Sequence, residues 1–432
     1  MMTTPSSRTW TLPGLQLQDV TLPVPLDHAA PAGAQIELFA RVVTADGGAD
    51  RPYLVFLQGG PGSEAPRPLD AASPAWLARA LREHRVVMLD QRGTGRSTPV
   101  GPDAALPEGA IAGAATLREA TASQQARYLT HFRADAIVAD AELLRGHLGV
   151  ETWSLLGQSF GGFTTLRYLS AAAGSVATAL FTGGLPNIGP DMDAVYAATW
   201  HGMIGRSERH WDRFPGDRDR FRRLADAADA GRLRLPDGQR VGVERLRRLG
   251  HLLGASQGAA RLHYLLEMDP ASAAFSHDLA AALPFGGRNP LYAVIHESCW
   301  ADGTATRWAA DRAQPTEVLA DPTLLAGEHI HRSLFAEDPE LEVWAEAADL
   351  LAEHEWPALY DPAALRAADV PGAAAVYYDD AYVPREFSMD TASLLSRLRP
   401  WVTSEYEHNG LRASGETVLD HLLDLAAGRR TA

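Results

Sequence analysis

The first residues in the chain that could do chemistry are Gly157-Gln158-Ser159-Phe160-Gly161, a serine with a glycine two positions away on each side. In the pattern G-x-S-x-G the serine sits in a strained turn between a strand and a helix, and the glycines let neighbouring backbone come close. The helix that follows directs its N-terminal amides toward negative charge developing on a carbonyl oxygen. A serine held this way attacks an acyl carbon, so the chemistry expected is acyl transfer with Ser159 as nucleophile. A second oxyanion donor comes from the loop after an earlier strand, and Gln58-Gly59-Gly60-Pro61-Gly62 occupies that place. The amides of Gly60 and Phe160 are the expected pair, with Gly59 as the alternative to Gly60.

A serine hydroxyl needs a base, and the base needs an acid to orient it, in the chain order Ser, Asp, His. His408 lies in Glu405-Tyr406-Glu407-His408-Asn409-Gly410, after the last strand-like run and before a closing helix. Two aspartates, Asp379 and Asp380, follow the apolar run at 373–378; Pro384, four residues beyond the second, favours Asp380. His201, His251 and His263 fall in the helical middle of the chain and read as surface or core residues. No H-E-x-x-H occurs, and His329-Ile330-His331 has no evident third ligand. Neither a metal nor an organic cofactor is therefore expected.

The elements that must position these residues are legible as alternating runs. Tyr53–Leu57 and Arg85–Leu89 are short apolar runs closed by glycine-rich turns, as buried strands of a parallel sheet are. Before them, "VTLPVPL" and "QIELFARVV" suit a pair of strands. Helical periodicity over 131–148 leads into the run Thr152–Leu156, then the Ser159 turn, a helix-like stretch and a strand over Ala177–Thr182. Alternation of this kind predicts an α/β fold, here the α/β-hydrolase fold with a mostly parallel central sheet. From 186 to 360 the pattern becomes amphipathic and helical, which predicts an inserted cap between a first core part, 1–185, and a second, 361–432. Strand signals return at 373–378 and 401–406, and Glu416–Ala427 reads as the closing helix.

Composition narrows the partners. The chain of 432 residues carries 54 acidic against 39 basic residues, a formal net charge of -15, which argues against nucleic acid as a partner. The run Arg245-Leu246-Arg247-Arg248 is expected as a solvated helix face. One cysteine, Cys299, leaves no intrachain disulfide, and a buried thiol is its expected state. No run approaches the roughly 20 apolar residues of a membrane span, and Met1–Trp10 has no apolar secretion-signal stretch. A cytoplasmic protein without membrane contact is the expectation, and nothing in the sequence sets its oligomeric state.

Taken in order, "QGGPG" at 58–62, "DQRGTGRS" at 90–97, "GQSFGG" at 157–162, "HESCWADG" at 296–303, "AGEH" at 326–329, "YYDDAYVP" at 377–384 and "EYEHNGLR" at 405–412 resemble the prolyl aminopeptidases (proline iminopeptidases). The G-x-S-x-G element is common to hydrolases of the fold, whereas "GGPG" with "DQRGTGRS" is much more selective. The family often has His where this chain has Gln58. The resemblance implies release of an N-terminal residue, typically proline, from short peptides with a free N-terminus. A cationic amine in a partly dry pocket requires carboxylates, and the resemblance points to Glu297 and Glu328, with Glu267 in reserve. Phe160, Tyr292, Trp300 and Phe335 are candidates for the apolar slot that a proline ring needs. An esterase, an amidase or a tripeptidyl aminopeptidase on the same scaffold is the alternative.

Overall fold

A computed structural model describes residues 5–431. Nine strands form one sheet: β1 Ser6–Leu12, β2 Leu15–Pro25, β3 Gln35–Ala45, β4 Tyr53–Leu57, β5 Arg85–Asp90, β6 Trp153–Gln158, β7 Val176–Thr182, β8 Gly372–Tyr377 and β9 Leu398–Thr403. Their spatial order is β1-β2-β3-β5-β4-β6-β7-β8-β9. The first three strands and β5 pair antiparallel, and from β5 through β9 every pairing is parallel. The central strands β4 and β6 are buried at every position, because helices cover both faces. On one face the short helix Leu77–Leu81 and the closing helix Thr417–Ala426 bury Leu54, Phe56, Leu156 and Leu180. On the other, Ala134–His147 and Phe160–Ala172 pack on Val55, Leu57 and Leu155.

Two strands depart from the sequence expectation. β1 was not expected; it forms a hairpin with β2, and its outer edge is exposed. β9 begins three residues earlier than the expected 401 and takes in Pro400. It pairs only with β8, so its other edge bonds to no strand, and a proline that cannot donate is tolerated there.

Between β7 and β8 the chain leaves the sheet for a long helical excursion that starts at Met192–Arg213 and returns through Pro362–Ala367. Its apolar side chains, among them Leu262, Phe275, Ile295 and Trp344, join the same buried cluster as the sheet face. Arg245, Arg247 and Arg248 lie within this excursion and correct the expectation of a solvated face: they are 7%, 2% and 0% exposed. Arg245 pairs with Asp338 at 2.9 Å, and Arg247 reaches the carbonyl of Asp321 at 3.0 Å and the carboxylate of Glu244 at 2.8 Å. Asp338 and Asp321 are far away in sequence, so a charge-rich run looked solvent-facing when its partners were supplied by tertiary packing. No described helix is long and apolar enough to cross a membrane.

Candidate active site

Ser159 follows directly on β6 and precedes the helix Phe160–Ala172, with φ 54° and ψ -125°. A non-glycine residue with positive φ is strained, and such strain clusters at functional positions. The turn is held by Ser159 N–H donating to Thr182 O at 3.0 Å and by Gly162 N–H donating to Ser159 O at 2.7 Å. At Gly161 a Cβ would lie 1.8 Å from the carbonyl oxygen of Leu57. Only glycine lets the start of this helix meet the end of β4, and that contact sets Phe160 beside the loop that continues into Gly59 and Gly60.

His408 and Asp380 come from the loops after β9 and β8. His408 Nδ1 lies 2.8 Å and 3.0 Å from the two carboxylate oxygens of Asp380. Asp380 is itself fixed by the amides of Tyr382 at 2.9 Å and Val383 at 3.0 Å. Asp379 instead has a 56% exposed side chain, 3.9 Å from Arg209. Of the two aspartates weighed from sequence, the structure brings Asp380 to the imidazole. His408 Nε2 is buried and has no hydrogen-bond partner among the described residues. Burial alone would lower the imidazole pKa, but the charge and hydrogen bond of Asp380, with the charge of Glu328, together raise it above the ordinary value.

Gly183, at the end of β7, has φ +54°, and a Cβ there would lie 3.0 Å from His408 Nδ1 and 3.1 Å from Asp380 Oδ2. The imidazole–carboxylate pair thus rests against bare backbone. The helix Met192–Arg213 also grips both loops, Arg206 pairing with Glu407 at 2.6 Å and Arg209 approaching Asp379.

A cavity of about 300 Å³ contains Ser159 and His408, together with Gln58, Gly59, Gly60, His251, Tyr292, Glu328, Tyr382 and other residues. The Gly59–Gly60 loop is braced by the second selective motif: Gln91 Nε2 donates to Gln58 O at 2.9 Å, and Asp90 accepts from the amides of Ala65 at 3.2 Å and Arg96 at 2.9 Å. The Gln58 side-chain oxygen is buried without a partner among the described residues, so it adds no hydrogen bond to the one that Gln91 gives the loop.

The two glutamates expected at the substrate amine are placed differently. Glu328 lies on the cavity wall, where Tyr292 Oη donates to its Oε1, His296 Nε2 is 3.4 Å from its Oε2 and His251 Nε2 is 3.8 Å from Oε1. Burial would raise its pKa, but His251 and His296 outweigh that and hold the carboxyl far below the ordinary range. It is an anion in a largely buried setting. Glu297 does not line that cavity; its carboxylate accepts from the amides of Ala309 at 3.2 Å and Ala310 at 2.9 Å. Burial pushes Glu297 up to about 7, against the lowering effect of those amides and of Thr306. Glu267 is 3.3 Å from His263 on a half-exposed helix face and is absent from the cavity lining.

Among the ring candidates, Tyr292 lines this cavity, while Trp300 lines a small adjoining one with His296, Glu328 and Tyr382. Phe160 packs on Phe163, and Phe335 on Trp308, both buried. Cys299 is buried, its thiol donating to Ile295 O at 3.3 Å, and burial raises its pKa. His251, which reads from sequence as a surface or core residue, instead faces the cavity and stacks on Tyr382 with ring centroids 5.3 Å apart. Nothing in its local sequence distinguishes it from His201 or His263, which lie on other surfaces of the helical excursion. No group of residues able to hold a metal ion occurs among the described residues.

Comparison with known proteins bears on the fold and the family. A family model described as alpha/beta hydrolase fold matches residues 52–235. A proline iminopeptidase of Aeromonas sobria is 42% identical over 430 residues, covering 96% of this chain and 98% of that protein. The proline iminopeptidase aneH of Aspergillus aculeatus is 29% identical over 433 residues, covering 94% of this chain and 92% of that one. At that identity and coverage, with an α/β-hydrolase fold beneath it, the chain belongs to the proline iminopeptidase family.

Proposed function

We propose that this protein is a serine exopeptidase that releases N-terminal proline from short peptides through an acyl-enzyme. The observation that carries this reading is a buried anionic carboxylate, Glu328, on the wall of the cavity that also contains Ser159 and His408. An esterase has no use for an anion there, whereas the secondary ammonium of an N-terminal proline requires one when water is excluded.

In this reading His408 Nε2 takes the proton from Ser159 Oγ as that oxygen attacks the carbonyl of the first residue. Asp380 at Nδ1 keeps the tautomer that leaves Nε2 free to accept, and stabilises the imidazolium that forms. The amides of Gly60 and Phe160 receive the oxyanion, each contributing about 3 kcal/mol. His408 then protonates the departing amine, and a water molecule releases the prolyl group by the reverse sequence. Glu328 fixes the substrate's end, so that the first carbonyl is the one within reach of Ser159. Tyr292 and Trp300 offer the proline ring its apolar walls, and the helical segment 186–360 acts as a cap over the strand ends.

The test is a panel of chromogenic amides of free proline, N-blocked proline and alanine. Free proline amide is expected to turn over at least tenfold faster than the blocked form, and Ser159→Ala to abolish turnover. Equal cleavage of free and blocked substrates refutes amine recognition; substantial activity of pure Ser159→Ala refutes the nucleophile.

A further inference from the structure

The cavity holds charge of both signs, and only its anion is accounted for above. Arg261, on the helix Gly258–Glu267, and Arg412, four residues after His408, also line it. Arg412 Nη2 donates to the neutral Gln158 Oε1 at 3.1 Å. Among the described residues neither guanidinium has a carboxylate within 4.0 Å. Arg41, Arg67, Arg92 and Arg245 each have a carboxylate partner, whereas these two line the cavity without one. Arg412 is solvent-accessible and bonded only to a neutral amide, so an anion entering the cavity meets a guanidinium that no protein carboxylate neutralises.

We propose that Arg412 and Arg261 receive the C-terminal carboxylate of the substrate, so that the enzyme selects short peptides with a free C-terminus. The inference rests on the aminopeptidase reading and names the substrate class within it. Arg412 stands close to the reacting centre, because Gln158, which accepts its hydrogen bond, adjoins Ser159. Arg261 is exposed, and its long side chain suits a carboxylate further out. An extended residue spans about 3.3–3.6 Å, so the two ends of a di- or tripeptide lie roughly 7 to 11 Å apart. A cavity of about 300 Å³ belongs to the small end of ligand sites and suits such peptides better than a long chain. Glu328 at the ammonium and the arginines at the carboxylate then hold both termini, with the scissile carbonyl between them at Ser159.

The experiment compares Pro-Ala with a free carboxylate, Pro-Ala carboxamide and a chromogenic proline amide on the full-length enzyme. The free acid is expected to have a KM about tenfold below that of the carboxamide, the increment of a charge-assisted hydrogen bond. The ratio is expected to fall below about threefold in Arg261→Gln with Arg412→Gln, and in Arg412→Gln alone. Raising the salt concentration should narrow it in the wild type as well. If Arg412 acted only by positioning Gln158, acid and amide would suffer equally and the ratio would stand, which overturns the proposal. A wild-type ratio near one overturns it too. Failure to release proline from the chromogenic amide, by contrast, refutes the aminopeptidase reading beneath it. Arg261→Gln alters a single exposed side chain, so even if the other variants do not fold it is expected to narrow the ratio to about fivefold or less, and an unchanged ratio overturns the proposal.

Discussion

Replacing Glu328 by glutamine separates two effects that the structure ties to a single charge. The substitution keeps the shape and leaves an oxygen to accept from Tyr292 Oη, which now donates to Glu328 Oε1. It removes the anion proposed to meet the substrate amine. A charge-assisted hydrogen bond in a partly dry site contributes about 1.5–3 kcal/mol, so kcat/KM for free proline amides is expected to fall roughly 10- to 150-fold. The second effect falls on the base. The Glu328 charge is among the influences that raise His408 above its ordinary pKa. His408 must be neutral to accept the serine proton, so activity rises with pH as the imidazole loses its proton. Without the Glu328 anion the imidazolium is less stabilised, its pKa drops, and the acidic limb of the kcat/KM profile moves to lower pH. The assay is a kcat/KM–pH profile of wild type and Glu328→Gln on free proline amide. A large activity loss with an unmoved acidic limb would refute the electrostatic link to His408. A shifted limb with undiminished kcat/KM would refute amine recognition.

Gly183→Ala places a methyl 3.0 Å from His408 Nδ1 and 3.1 Å from Asp380 Oδ2 at a φ of +54°. It is expected to cost about 1–2 kcal/mol of stability and, by displacing the imidazole, about 100-fold in kcat; urea unfolding and steady-state kinetics measure the two separately. Asp380→Asn is expected to lower kcat by about 10⁴-fold through the wrong imidazole tautomer. Asp379→Asn, at an exposed side chain 3.9 Å from its partner, should stay within about threefold of wild type, and equal losses would reverse the assignment. Arg248 is 0% exposed, its three guanidinium nitrogens have no hydrogen-bond partner among the described residues, and burial lowers its pKa to about 10. Replacing a buried charge that makes no hydrogen bond with an apolar side chain of similar length is expected to be neutral or stabilising by about 1–4 kcal/mol. A fall in the urea midpoint of Arg248→Met would show that attraction to Glu337 and Glu244 outweighs the cost of burial.

Local chemistry made the elbow legible in the sequence. A serine between glycines, after an apolar run and before a helix, has few other uses, and the loop at 58–62 and His408 followed from the chain order that acyl transfer on a parallel sheet imposes. Those features depend on residues adjacent in sequence, where backbone geometry and side-chain type are directly coupled. The sheet's interior was readable for the same reason, since strands buried on both faces are continuous apolar runs. Features that depend on residues distant in sequence were not readable. The difference between Glu297 and Glu328 is one: both lie in motifs of the same resemblance, but the amides of Ala309 and Ala310 occupy one carboxylate while the other faces the cavity. His251 is another, because its position against Tyr382 and Glu328 exists only once the helical excursion folds back over the strand ends. The buried side chains of Arg245 and Arg247 are a third, their partners lying as far off as Asp338 and Asp321. Sequence alone determined that Ser159 stands at a strand-to-helix turn suited to attack a carbonyl, because that depends on a handful of adjacent residues. Which carboxylate, histidine and arginines share its cavity was decided by tertiary packing, because charge acts through space and the chain order does not record that distance.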